Sequence, residues 1–263
     1  LLYKIIINYA FIIKNIILVK GVVSLNYKNN FPKFIPKLSN KDKIIHDDFM
    51  KVWLNELKTK KKFNLIENFN HNYSAKSHLL SNFKKDISTL ELGCGIGNHI
   101  DYEDLKFQNY HVVDIRTNVL SEVKKKNKNV KILNSDIQKK MPFNDNFFDR
   151  INAIHILEHL PDLPSCIDEI YRLIKKEGLF QVVIPCDPGF FYQICRNISA
   201  KRIFEKKYKK NYDDFIKREH INAPQEIIGI IEEKFMRIDR KFFPFKIPFI
   251  DINLCIGLTF KKI

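Results

Sequence analysis

What this sequence lacks narrows it first. None of its five cysteines (Cys94, Cys166, Cys186, Cys195, Cys255) pairs with another as C-x-x-C, and their number is odd. That pattern excludes a disulfide framework and a four-thiolate zinc site, and it fits a reducing, cytoplasmic setting. A charge-free apolar run is missing too: the N-terminal LLYKIIINYAFIIKNIILVKGVV is broken by Lys4, Asn8, Lys14, Asn15 and Lys20. A membrane span wants roughly 20 apolar residues, and a lysine at its centre costs about 2.5 to 3.5 kcal/mol. The spacing of Lys4, Asn8 and Asn15 predicts instead an amphipathic helix, packed on the protein or lying at a membrane surface as a peripheral contact. The small-residue cleavage site of a signal peptide is absent. The chain opens on Leu1 rather than Met, as a truncated or mis-assigned start would.

Acidic residues are in deficit, 30 against 45 basic, for a formal charge of +15. Such a charge draws polyanions, RNA or an anionic membrane surface among them. Lysine, asparagine and isoleucine are, however, enriched in core and surface stretches alike, the mark of a compositional bias, so charge alone does not establish a nucleic-acid partner. The 263 residues, 45% of them hydrophobic, suffice for one α/β domain with an appendage.

After the proline-containing link FPKFIPKLSN, Ile45, Phe49, Val52, Trp53 and Leu57 recur at helical spacing behind the possible caps Ser39 and Asn40. From Thr89 the rhythm changes to short apolar runs separated by polar, helix-length stretches, the pattern of strand and crossover helix in a parallel sheet. The runs are 89–92, 110–113, 130–133, 150–155 and 179–184, followed by two more at 235–245 and 252–260 that predict a closing hairpin. Internal repeats are lacking.

Glycine is scarce as well, with eight in the whole chain, yet three fall within five residues in Glu91-Leu-Gly93-Cys-Gly95-Ile-Gly97. Directly after a strand-like run, this predicts a tight turn that brings backbone close to a ligand. A dinucleotide fold uses G-x-G-x-x-G for a pyrophosphate. Here the spacing is G-x-G-x-G, and a carboxylate two residues ahead suits a cationic ligand better than a phosphate. Asp114, closing Tyr-His-Val-Val-Asp, stands where a carboxylate at the tip of the second strand accepts from both ribose hydroxyls. Asp136 closes the third run and is placed to read an adenine amino group.

Taken together, ELGCGIG, VVDI and SDIQKKMPFNDNFFDRINAIHILEHLPDLPSCIDEIYRLIKKEGLFQVVIP resemble the class I S-adenosyl-L-methionine-dependent methyltransferases of the type 11 kind, over about residues 89–185. The resemblance implies an α/β, Rossmann-like seven-stranded sheet with its last strand antiparallel, preceded by a helical lead-in and carrying a helical cap after the fifth strand. It implies S-adenosyl-L-methionine as cofactor, held by Glu91, Gly93, Gly95, Gly97, Asp114, Ile115, Asp136, Ile137 and His155. Arg116 departs from the family, which often has a small residue such as serine there. The chain then divides into an N-terminal segment (1–38), a lead-in (39–88), a cofactor-binding core (89–185), a substrate cap (186–222) and a C-terminal helix with a strand hairpin (223–263).

Within the fourth run, His155-x-x-Glu158-His159 has the letters of an inverted zinc-protease motif, which needs both imidazoles on one helical face. In the methyltransferase frame the two histidines straddle the exit of the fourth strand, so the zinc geometry fails and no metal is expected. His220 in Arg-Glu-His-Ile-Asn, with Glu219 beside it, and His159 are the candidates for a general base. Tyr192 and Tyr212 are expected to line the pocket, and His71 and Tyr73 to reach it from the lead-in. The expected reaction is methyl transfer to a small-molecule acceptor, a sugar or cell-envelope glycan precursor being the finer expectation. The alternatives are an RNA methyltransferase, against which the absence of an N-P-P-Y-like loop counts, and a cofactor-binding subunit without chemistry of its own.

Overall fold

The computed structural model describes residues 27–59, 64–83 and 86–263. The amphipathic helix expected of the first 26 residues lies outside them. No helix among the described residues is long and apolar enough to cross a membrane.

Seven strands form one sheet in the order β3-β2-β1-β4-β5-β7-β6. They are β1 (Ile87–Leu92), β2 (Gln108–Asp114), β3 (Lys131–Asn134), β4 (Phe148–Ile154), β5 (Ile174–Pro185), β6 (Phe235–Phe243) and β7 (Cys255–Lys262). The first five run parallel, whereas β7 is antiparallel to both β5 and β6. All seven runs read from the sequence are strands. The largest difference is β5, which begins at Ile174, because Ile174 continues the ladder opposite Phe148 across a register shift.

The lead-in folds as two helices, α1 (Asn40–Thr59) and α2 (Asn64–Ala75). Ser39 caps α1, its hydroxyl accepting from the Asp42 amide at 3.1 Å. The crossover helices are α3 (Thr117–Lys126) and α4 (Leu163–Leu173), and α8 (Pro224–Glu232) precedes the hairpin. Between β5 and α8 the cap consists of α5 (Phe190–Arg196), α6 (Arg202–Tyr208) and α7 (Tyr212–Glu219), with a π turn, Asn197–Lys201, joining the first two. Proline at the first position of α8 costs nothing, since its missing N–H would have no partner there.

The two faces of the sheet differ in chemistry. On one, Leu90, Leu92, Ile151, Ala153, Phe180 and Val182 join Ile167 and Ile170 of α4 and Ile227, Ile230 and Ile231 of α8 in the main core. On the other, neighbouring strands align a row of polar residues, Glu91 beside Asn152, Asn152 beside Gln181, and Gln181 beside Thr259. Arg150, next along β4, is fully buried. Its guanidinium donates to both oxygens of Glu103 at 2.8 Å, to Gln181 at 2.7 Å and to the Ser74 hydroxyl of α2 at 2.6 Å. His99 adds a second contact to Glu103 at 2.8 Å. Burial acts to raise the Glu103 carboxyl, but the charge and hydrogen bonds of Arg150 and His99 hold it well below the usual range.

Deleting one partner of a buried ion pair strands the other's charge, so Glu103→Gln and Arg150→Met are each expected to cost about 3–5 kcal/mol in urea unfolding. The double replacement Glu103→Leu with Arg150→Met should recover a large part of that loss. A double variant as unstable as the sum of the singles would show that the pair is not coupled.

Candidate functional site

The parallel strands end at one edge of the sheet, and the order reverses between β1 and β4. A crevice beyond the carboxyl ends of strands, at such a switch point, is where open α/β sheets bind ligands. The glycine loop follows β1 here. Gly93, Gly95 and Gly97 all have positive φ, at 63°, 53° and 79°. At Gly93 a side chain is excluded by packing as well, since a Cβ would stand 2.6 Å from Ile156 of the β4 exit. At Gly95 a Cβ would meet nothing nearer than the Arg116 guanidinium at 3.8 Å, so the loop's inner side there is open toward β2.

Two buried carboxylates, Glu91 just before this loop and Asp114 bonded to it, differ in state, and a third, Asp136, follows β3. Glu91, fully buried, accepts from the Tyr110 hydroxyl at 3.0 Å. Burial pushes its pKa up to about 8, with the charge of Glu103 adding to the rise against the pull of Tyr110 and Arg150, so the carboxyl is mostly protonated at neutral pH. Asp114 is buried too, but it accepts from the Gly95 amide at 3.0 Å and from the Arg116 amide, Nε and guanidinium at 2.9, 3.0 and 3.0 Å. Burial alone would raise it, and these donors hold it below the ordinary range. Asp136 accepts from the backbone and side chain of Gln138, both at 3.0 Å, with Ile137 buried beside it. Ile115 is 65% exposed at the rim.

Asp114 is expected to accept from both ribose hydroxyls, and Arg116, the basic departure noted beside it, donates to both of its oxygens here. The arginine side chain is 56% exposed and therefore free to leave toward solvent.

At the end of β4, His155 takes φ +50° and turns the chain into the short 3-10 turn Leu157–His159. The two histidines of the motif do not share a helical face, as expected. His155 Nδ1 lies 3.2 Å from Glu158 Oε1, and His159 Nδ1 binds the Glu219 carbonyl of α7 at 2.5 Å. The partner of His220, at the C-terminal end of α7, is Asp187 at 2.8 Å rather than Glu219, which pairs with His46 of α1 at 2.7 Å. Arg196 of α5 completes the Asp187 contacts at 2.7 and 2.6 Å. Glu158 lies between the histidines, its side chain 1% exposed. Burial acts to raise it, yet the His155 hydrogen bond and the charges of His159, His155 and His220 bring it down to about 2. His159 itself is lowered by burial against the attraction of Glu158.

The tyrosine and lead-in expectations divide. The Tyr192 ring lies 6.2 Å from that of His220 and borders the cluster. Tyr212 instead packs 3% exposed among Phe49, Phe204 and Phe215, so it holds the cap on α1 rather than lining a pocket. His71 stacks on His99 and Tyr102, and the Tyr73 hydroxyl bonds Thr259 at 2.9 Å, which ties both to the polar face of the sheet. Asp187 and Glu158 were missed as site residues. Asp187 is separated from His220 by 33 positions, and only the fold of the cap brings them together. Glu158 had a visible signal, an acid next to His159, but was set aside with the zinc motif.

Residues 90–182 match the model of a family described as a methyltransferase domain. A sterol 24-C-methyltransferase of Gibberella zeae is 31% identical over 127 residues, 44% of this chain and 33% of that enzyme. An uncharacterised protein of Methanocaldococcus jannaschii is 37% identical over 112 residues, 41% of this chain and 46% of that one. The chain thus spans less than half the length of either. Among solved structures, a protein of Pyrococcus horikoshii aligns with a TM-score of 0.56 at 16% identity, covering 78% of this chain and 93% of that one. The N-methyltransferase NodS of Bradyrhizobium japonicum, in complex with S-adenosyl-L-homocysteine, aligns with a TM-score of 0.55 at 15% identity, covering 83% and 98%. At these identities the likeness establishes the fold.

Glu91 yields a test of the site's electrostatics. A carboxyl whose folded pKa is raised favours folding below its unfolded value of about 4.3, and that contribution is lost as pH rises toward about 8. Glu91→Gln fixes the neutral state, so its stability relative to wild type should rise between pH 5 and pH 8 in denaturant titrations. Parallel pH profiles for the two proteins would contradict a raised pKa.

Proposed function

Residues 90–182 carry a methyltransferase domain on the class I fold, and from that premise we propose that the protein is an S-adenosyl-L-methionine-dependent methyltransferase acting on a small-molecule acceptor. The observation that carries this is the Asp114 carboxylate at the tip of β2, bonded to the amide of the positive-φ Gly95 directly after Glu91 at the switch point of the sheet. When bound, the cofactor supplies an electrophilic methyl group on a sulfonium. The residues suit its other parts. The buried, protonated Glu91 is matched to an ammonium, which would draw the proton off. Asp114 is matched to a diol once Arg116 leaves. Asp136 and Ile137 flank the position for a base, and the open side of Gly95 lets backbone approach.

The His159–His220 cluster lies on the cap side of the same crevice, and we assign it to the acceptor. Holding the acceptor in line with the methyl group and away from water accounts for much of the acceleration such a site provides. As to acceptor class, Phe190, Ile194 and Ile198 form a stripe along the cap, 69%, 41% and 69% exposed, beside an open groove of about 380 Å³ lined by Pro188, Phe190, Gln193, Asp251 and Ile252. The stripe supports an acceptor with an apolar portion, and the mixed lining of the groove is equally compatible with the sugar or glycan precursor that the sequence suggested. The name of the sterol methyltransferase relative agrees in kind.

Calorimetric titration with S-adenosyl-L-methionine should show one saturable site that Asp114→Ala weakens. Below pH 8 its heat should vary with the ionisation enthalpy of the buffer, because Glu91 releases a proton, and Glu91→Gln should remove that variation. Arg116→Ala should tighten binding by about fivefold, equivalent to the roughly 1 kcal/mol of a half-exposed ion pair. Absence of binding by folded protein would defeat the reading. With cofactor binding established, sterol-like and glycan acceptors compared side by side should show turnover that His220→Ala abolishes while cofactor affinity is kept.

A further inference from the structure

The exclusion of His155 and His159 as a metal pair leaves a different trio. One nitrogen each of His159 and His220 and one oxygen of Glu158 lie within 4.8 Å of one another. We propose that these three residues bind a divalent first-row transition ion. Two imidazoles and a carboxylate suit zinc, iron, cobalt or nickel, and three protein ligands leave a coordination position for an outside oxygen or nitrogen donor, as catalytic rather than structural sites do.

Three further observations point the same way. Each imidazole has its Nδ1 engaged elsewhere, in His159 by the Glu219 carbonyl at 2.5 Å and in His220 by the Asp187 carboxylate at 2.8 Å. Those acceptors place the proton on Nδ1, leaving the Nε2 lone pair of both rings for a ligand. A carboxylate or carbonyl behind a ligating histidine is the usual way its ring is oriented. Next, Glu158 is almost wholly buried, and its Oε2 has no hydrogen-bond partner. An unpartnered polar oxygen inside a protein is costly, and a bound cation removes that cost. Finally, Asp187 is bonded by Arg196 and Glu219 by His46, so neither competes as a fourth ligand.

The three donors, all within 4.8 Å of one another, are near the roughly 3.3 Å expected between tetrahedral ligands that sit about 2.0–2.1 Å from zinc. They come from the C-terminal end of α7 and the Leu157–His159 turn. Both are tethered to each other already, through the amides of Ile221 and Asn222 on the Glu158 carbonyl at 2.9 and 3.1 Å. The inference does not depend on the cofactor assignment, since the trio draws no residue from the glycine loop.

The test uses the full chain, stripped with a chelator and titrated with Co²⁺ followed by absorption, and with Zn²⁺ followed by calorimetry. One ion per chain with visible d–d bands is expected. His220→Ala, His159→Ala and Glu158→Gln should each abolish the bands, and Asp187→Asn should weaken binding about 10–100-fold through loss of ring orientation. Substitution of the exposed His78 should change nothing. The near-isosteric Glu158→Gln guards against misfolding as an explanation, with circular dichroism on every variant. Unchanged bands in the trio variants, or binding lost with His78, would mean adventitious surface chelation and overturn the proposal, as would no binding at all. Titration of the same samples with S-adenosyl-L-methionine separates the outcomes. Cofactor binding without cobalt binding rejects the metal site alone, and cobalt binding without cofactor binding upholds it while removing the methyltransferase reading.

Discussion

The arginine in the middle of the sheet constrains everything around it. Arg150 has no access to water, and a guanidinium cannot shed its charge by releasing a proton at any ordinary pH. The chain must therefore supply a counter-charge and acceptors in fixed places, and it draws them from three separate segments: Glu103 from the turn after the glycine loop, Ser74 from α2 and Gln181 from β5. Because these contacts all converge on one side chain, the lead-in helices cannot slide over the sheet without leaving a donor unsatisfied. The cost of burying the pair is returned as a fixed register between lead-in, sheet and the loop that builds the site.

The same network bears on the chemistry at the strand ends. Glu91 lies on the polar face, where burial raises it and the nearby Glu103 carboxylate adds to the rise, whereas Glu158, equally buried, is lowered by histidines on either side. Two acids of one type thus stand in opposite protonation states at neutral pH. One holds a proton and is suited to meet a cation by losing it, and the other is already charged and matched to imidazoles. Neighbouring charge, rather than depth, sets the difference.

The sheet was legible in the sequence because its signals are local. Short apolar runs, the dense glycines and an aspartate at the tip of β2 are properties of adjacent residues, and the structure forms strands at every run. The polar face was not legible. Arg150, Asn152 and Gln181 break the apolar pattern of their strands, and nothing nearby in sequence announces that Ser74 and Glu103 will answer them. At the candidate site, the tight turn of Gly93, Gly95 and Gly97 beside Asp114 was readable, but the cover that Arg116 places on Asp114 depends on a side-chain conformation that no spacing encodes. His159 and His220 were singled out separately. Their common partner Glu158, and Asp187 behind His220, emerge only from the path of the cap across the strand ends.

The cap's attachment has a consequence for how the molecule comes apart. Phe49 of α1 meets Phe204, Tyr208, Tyr212 and Phe215 of the cap with ring separations of 5.0–6.2 Å, in a cluster distinct from the core beneath the sheet. The first lead-in helix, α1, and the roof therefore form one cooperative unit, bridged by the His46 contact to Glu219, although about 150 residues of chain separate them. Opening of that unit would uncover the strand ends beneath it while the glycine loop, anchored in the parallel strands, stays folded. Hydrogen-exchange protection in α1 should accordingly follow that of α6 and α7, not that of the strands it precedes.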